Sequence, residues 1–308
     1  MPGVVNTRST SADASLLLDY LTEPLKNLEP QTHYASFGKR RDVPEGFNVL
    51  NFPQVTKFAT SEIGTIVEGV DPTIGDISTT AYRSAPTQLG DIKVMSDLLL
   101  RNIAIDLLNE AIKNNQDAVK RSLDDFIQTV VNSNTDVIYA GGKLSRATLG
   151  AGDKITMPLH LRAIAHLRKA DSAGVKPIGG AYVAIADPDT LSDLMADVGA
   201  AGWSDTARYT DPEAIRSATV GMWRGARFLE SANQHTFSSS VTVHAVTYLG
   251  EDSFGWGYYQ TPMPVLITTP DSANPLALRT TIGVKFSLAA VLFESFRMTR
   301  IECAATNN

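Results

Sequence analysis

Cysteine is nearly absent from this 308-residue chain. Cys303 stands alone, which excludes an internal disulfide and a thiolate cage for a metal. Cations are not in surplus either: 27 Lys and Arg against 33 Asp and Glu leave a formal charge of −6. No run of like charge exceeds three residues, and a protein built mainly to grip nucleic acid should carry the opposite balance. Long apolar runs are missing as well. The longest, residues 181–186 and 288–293, fall far below the roughly 20 residues of a membrane-spanning helix, so no membrane partner is expected. Residues 1–15 hold one Arg and no apolar stretch, so they do not read as a secretory signal. With 43% hydrophobic and 19% charged residues, the chain is that of a folded protein with length for about two domains.

The usual signatures of catalysis and cofactor binding are also lacking. The glycine cluster Gly150-Ala151-Gly152-Asp153-Lys154 does not have the spacing of a phosphate loop, and neither G-x-G-x-x-G nor G-x-S-x-G occurs. His160 and His166 are six apart, not the four that would set two metal ligands on one helix face. Asp124-Asp125 and Glu251-Asp252 are adjacent pairs, which diverge along a chain and do not converge on one substrate atom. Cys303 lies in apolar surroundings and reads as a packing residue. Trp203, Trp223 and Trp256, with Tyr258 and Tyr259, read as core or interface anchors, because no basic stripe interleaves them. No catalytic residue, cofactor or metal is expected.

Glycine and proline are absent where they should occur. They number 22 and 15, so 37 of 308 predicts about six in any 50 residues, yet residues 91–140 contain none. Within that window apolar residues recur at 95, 98, 99, 103, 107, 108, 111 and 112, and again from 119 to 131, in steps of three and four. This predicts one long helix from Ile92 to about Asn132, bent near 113–117. At 1.5 Å per residue it would run about 60 Å, longer than the ~50 Å diameter of a compact globule of this size.

Upstream, residues 47–90 are rich in Thr, Val, Ile and Phe around the turn-dense string Glu68-Gly69-Val70-Asp71-Pro72, which predicts a long two-stranded hairpin. Its apolar surface is too small for independent folding, so it must lie on something. Residues 1–46 read as a polar arm with a short amphipathic helix at 16–28. Downstream, Thr156 caps a helix to 173 whose exposed positions carry His160, Arg162, His166, Arg168 and Lys169. A buried strand at 181–186 leads through Asp187-Pro188 into another helix to about 198. Strands follow at 220–229, 241–249 and 278–303.

The order of these elements and several local strings resemble the major capsid proteins of tailed bacteriophages, the Hong Kong 97 fold, and most closely the podovirus-type coat family without a built-in scaffolding domain. Ile66-Val67-Glu68-Gly69-Val70-Asp71-Pro72 is similar to the tip of that family's elongated loop. Leu89-Gly90-Asp91 with Met95-Ser96-Asp97 resembles the loop's return into the spine helix. Gly180-Ala181-Tyr182-Val183-Ala184-Ile185 with Asp187-Pro188-Asp189-Thr190, and Gly225-Ala226-Arg227-Phe228-Leu229-Glu230-Ser231, resemble axial-domain elements. Pro275-Leu276 through Arg279-Thr280-Thr281-Ile282-Gly283-Val284-Lys285 to Arg300-Ile301-Glu302 resembles the closing strands of the peripheral domain.

The resemblance implies an α+β fold with an N-terminal arm (1–46), an elongated β-hairpin loop (47–91), a peripheral domain with the spine helix (92–178), an inserted axial domain (179–274) and returning peripheral strands (275–308). It implies a structural, non-enzymatic subunit, made in the host cytoplasm, that self-assembles into hexamers and pentamers. The icosahedral shell would enclose double-stranded DNA with weak, non-specific contact. A separate scaffolding protein (only 46 residues precede the hairpin), a portal and a decoration protein are the further partners. Arg40, Arg41, Phe52, Phe58, Glu62, Glu68, Asp71 and Arg83 are the expected subunit-interface residues. Arg162, His166 and Lys169 are the candidates for facing the genome. For Lys39-Arg40-Arg41 a solvated turn and a contact with a neighbour's carboxylates or a nucleic-acid backbone both remain open. Two rival readings are an encapsulin-like cellular nanocompartment shell, and an α/β enzyme using Asp187, His244 and Tyr258.

Overall fold

The computed structural model describes residues 32–44, 46–57, 68–69, 76–97, 107–197, 221–270, 275–276 and 278–306. In chain order the helices are α1 (Tyr34–Phe37), α2 (Leu107–Val131), α3 (Met157–Lys169) and α4 (Pro188–Ala196). The strands are β1 (Lys39–Arg40), β2 (Leu50–Val55), β3 (Thr79–Ser84), β4 (Thr87–Ser96), β5 (Val137–Tyr139), β6 (Tyr182–Ala186), β7 (Met222–Trp223), β8 (Ala226–Glu230), β9 (Thr236–Ser238), β10 (Thr242–Leu249), β11 (Phe254–Ile267), β12 (Arg279–Leu292) and β13 (Met298–Cys303). The expected helix at 16–28 and Trp203 lie outside the described residues. Described residues of 33–87, 125–259 and 288–308 form one compact unit, and those of 88–124 and 260–287 belong to a second.

The first unit is built on a mixed sheet in the order β5-β13-β10-β6-β8-β7, with β9 paired to β10. Strand β6 is buried at every position and lies parallel to β8, Tyr182 opposite Ala226, which explains its unbroken apolar sequence. Strands β10 and β13 are antiparallel, His244 opposite Cys303, so the chain's end closes the middle of the sheet. Helix α3 buries Met157, Leu159, His160, Ala163, Ile164 and Leu167, a stripe in steps of three and four. Helix α4 follows Asp187 with Pro188 in its first turn, where the missing N–H has no partner to lose.

The hairpin strands belong to the same unit. β2 and β3 pair antiparallel from Leu50 opposite Ser84 to Val55 opposite Thr79. Leu50 and Phe52 are buried while Asn51 and Pro53 are exposed, the two-residue period of a strand with one dry face. That dry face rests on Val43 and Ala289, with Tyr82, Val291 and Phe293 around it. The need for outside support is therefore met at the hairpin's root by the chain itself. The described part of the arm is likewise held down by its own chain: β1 runs parallel to β11, and Arg41 and Val43 N–H donate to the Trp256 and Tyr258 carbonyls.

In the second unit, residues of β4 and the first part of β12 are neighbours in the sheet order β11-β12-β4. The Asp97 N–H donates to the Leu278 carbonyl at 2.8 Å. This corrects the predicted start of the long helix, because residues 92–96 are strand. Ile92 and Val94, both exposed, alternate with Lys93 and with Met95, which is buried. That period-two signal, paired to a neighbouring strand, prevails over the three-and-four spacing that begins at Met95. The described helix has 25 residues and runs about 37 Å. The polar run 113–117 does not interrupt it, and its exposed positions 109, 113, 114, 116, 120, 121, 125 and 129 form one wet side.

Candidate functional site

Of the enzyme candidates, Asp187 and His244 come together and Tyr258 does not join them. His244 Nδ1 hydrogen-bonds the Asp187 carboxylate, the Thr190 hydroxyl donates to the same carboxylate, and all three residues are buried. Burial by itself would raise the Asp187 pKa, but the hydrogen bonds from His244 and Thr190 outweigh it and hold the carboxyl below its usual range. The pair ties the N-terminus of α4 to β10, and burial pushes the neighbouring Cys303 thiol far up, away from reactive thiolate. Tyr258 instead sits with Arg40, Asp42 and Trp256. Among the described residues no group of three or more His, Cys, Asp and Glu is placed to hold a metal, and no helix is long and apolar enough to cross a membrane.

The predicted interface residues gather partly at the hairpin root. Arg40 lies over Trp256 and Tyr258, 5.3 and 5.4 Å from their ring centres, and pairs with Asp42 at 2.9 Å. The Arg40 guanidinium beside it holds the Asp42 carboxyl below its ordinary pKa. Arg41 donates to the Asn51 carbonyl at 3.0 Å, and Arg83 stands exposed directly across from Asn51. Neither Arg41 nor Arg83 has a carboxylate partner among the described residues. Phe52 is placed differently from the rest: its ring is buried edge-on against Phe293 at 5.0 Å and is used inside the subunit. Glu68 is exposed in a turn, while Phe58, Glu62 and Asp71 lie outside the described residues.

This root depends on close approach of two backbones. A Cβ on Gly257 would fall on the Arg41 carbonyl oxygen, so β11 needs glycine there for the segment after β1 to lie beside it. Gly257→Ala should therefore detach residues 39–43, at about 2 kcal/mol or more of stability. Limited proteolysis near Arg40 and Arg41 reads the release directly. Unchanged resistance and an unchanged unfolding midpoint would refute the account.

On α3, Arg162, His166 and Lys169 are exposed, and His166 pairs with Asp136 at 3.3 Å. His160, expected on the same wet face, is fully buried. Its ring stacks on Trp223 at 5.4 Å, and Nδ1 bonds the Tyr248 hydroxyl at 3.0 Å. Charge alone predicts an outside position, but a neutral imidazole is a flat aromatic that packs well once one nitrogen has a partner. Burial first, then the Arg224 charge, push its pKa down to about 4. Between pH 6.5 and about 4 the unfolded chain binds a proton here that the folded chain refuses, so stability rises with pH across that window. Acidification from pH 7 to 4 should remove about 3 kcal/mol through this group. Chemical denaturation of the wild type and His160→Gln at several pH values tests this, since the variant must lose that part of the slope.

No protein-family model and no curated protein matches this chain. Solved structures do. Mycobacterium phage Che8 matches with a TM-score of 0.67 at 16% identity over 91% of this chain and 94% of the other. The capsid asymmetric unit of cyanophage Pam1 matches at 0.71 and 14% identity, covering 93% and 96%. The capsid of Ralstonia phage GP4 matches at 0.70 and 15%, covering 92% and 94%. The chain therefore shares their fold, the Hong Kong 97 type, over more than 90% of its length.

Proposed function

We propose that this chain is the major capsid protein of a tailed bacteriophage. Its copies assemble as hexamers and pentamers into an icosahedral shell around a double-stranded DNA genome, and its place is the virion. The observation that supports this best is the likeness to phage capsid subunits over more than 90% of both chains. The hairpin root supports it from inside the molecule. A buried Phe52–Phe293 contact fixes the strands, and cations with no carboxylate partner among the described residues, Arg41 and Arg83, stay on the surface beside Arg40. These suit the carboxylates of a neighbouring copy, and the loop's Glu62, Glu68 and Asp71 supply such groups with no Lys or Arg between 58 and 82. A scaffolding protein, a portal and a decoration protein complete the set of proposed partners.

Electron microscopy of the full chain, alone and co-expressed with its scaffolding protein, tests the reading. Shells, tubes or capsomers are the expected result, and a monodisperse monomer under both conditions would overturn it.

A further inference from the structure

The turn between β7 and β8 breaks a local rule. Trp223 pairs with Ala226, so Arg224 and Gly225 are the whole loop. Both have positive φ, 44° and 91°, the mark of a type I′ hairpin turn. Asn, Asp or Gly is favoured at the first position of that turn, because longer side chains are strained in the left-handed region. An arginine held there against preference is an outlier from which a use can be inferred.

Its surroundings indicate the use. Arg224 lines an open groove along α3 together with Leu161, Ile164, Ala165, Arg168 and Lys169, and none of these residues is acidic in a chain of net charge −6. A Cβ on Gly225 would lie 2.8 Å from an Arg168 guanidinium nitrogen, so the glycine lets Arg168 rest against the turn. The Tyr182 hydroxyl donates to the Val175 carbonyl at 2.7 Å, and the Arg168 charge opposes the rise that burial imposes on the Tyr182 pKa. Arg162 lies two helical turns before Lys169 on the exposed side of α3 and continues the cationic line for about 10 Å. His166 between them already has Asp136 as a partner.

We infer that this groove is a contact for the phosphate backbone of double-stranded nucleic acid. The inference rests on the shell reading for its ligand. The groove is suited to charge and not to bases: Trp223 and Phe228, on the two strands that flank the turn, are buried and offer no stacking platform of the kind single strands use. With four cations, Arg162, Arg168, Lys169 and Arg224, the contact is weak and salt-sensitive, as a genome that must enter and leave requires. An acidic polypeptide is the competing occupant.

The test is a fluorescence-anisotropy titration of a short duplex DNA with the full chain over a salt series. It compares the wild type, Arg224→Asn and the double variant Arg168→Gln/Lys169→Gln. The slope of log affinity against log salt should shrink in magnitude by about 0.9 for the first variant and about 1.8 for the second. Because Asn suits the turn, Arg224→Asn should keep or raise the unfolding midpoint while weakening the duplex, which a merely structural arginine would not do. No duplex binding by the wild type, or equal slopes in all three proteins, overturns the inference. So does a loss confined to a polyglutamate probe, which would assign the groove to an acidic protein. Microscopy of the same samples separates the two readings. Particles with unmoved slopes sink only this contact, whereas shifted slopes without any particles sink the shell reading.

Discussion

Glu302→Gln should cost about 3–5 kcal/mol of stability, because it leaves a buried guanidinium without its counter-charge. Glu302 is fully buried in β13 and accepts two hydrogen bonds from Arg146, at 2.6 and 2.7 Å. Arg300, two residues away and only 4% exposed, donates to the same carboxylate at 3.0 Å and to the Asn132 carbonyl. Burial pulls the Arg300 pKa down, and the Glu302 charge opposes that pull. Arg146 also lies over the Phe237 ring at 3.5 Å and is partly exposed, so water can take up its charge after the substitution. Arg300 has no such outlet. Equilibrium denaturation measures the loss, and a change below about 1 kcal/mol would mean that water reaches Arg300. Replacing Arg300 and Glu302 together by apolar residues should recover much of the stability, since it removes the stranded charge.

Phe52→Ala is the second large effect, about 3–5 kcal/mol for deleting a buried ring. The cost here is local. Phe52 packs on Phe293, which also meets Tyr82 at 5.4 Å from the opposite strand, so the ring is the rivet between hairpin and body. Gly255 lies close enough that a Cβ there would strike the Phe52 ring, and that tight fit gives the site little room to collapse around a cavity. The expected outcome is a protein whose seven-stranded sheet still melts cooperatively but whose hairpin is cleaved by protease and, on the proposed shell function, whose particle yield falls sharply. Normal particle yield from Phe52→Ala would show that the root is not needed for assembly. Arg83→Ala should leave the unfolding midpoint within about 0.5 kcal/mol of the wild type, so any loss of particles in that variant would come from the surface and not from the fold.

Much of this layout was legible from residue pattern. The hairpin followed from Thr- and Val-rich stretches around Glu68-Gly69, α3 from Thr156, Pro158 and a three-and-four stripe, and β6 from its unbroken apolar run. All are local signals of the backbone. The errors share one cause. The neighbours in sequence of Ile92–Ser96 and of His160 point one way, and each is decided by a partner far along the chain: β12 for the strand, Trp223 and Tyr248 for the imidazole. Arg224 was missed although Arg-Gly between two short strands is a turn signal, because nothing local says which cations stand 55 residues upstream.

The sequence by itself determined the fold class and the family it resembles. One cysteine, no catalytic motif, no basic surplus and an ordered set of coat-like strings all depend on which residues are present and in what order. Only the tertiary structure decided which residues are available. It turned Phe52 inward, brought Asp187 to His244 in a buried pair, and set Arg168, Lys169 and Arg224 around one groove. Burial and charge clustering arise where distant segments meet, and the energy of a ring or a guanidinium depends on what surrounds it more than on its neighbours in sequence.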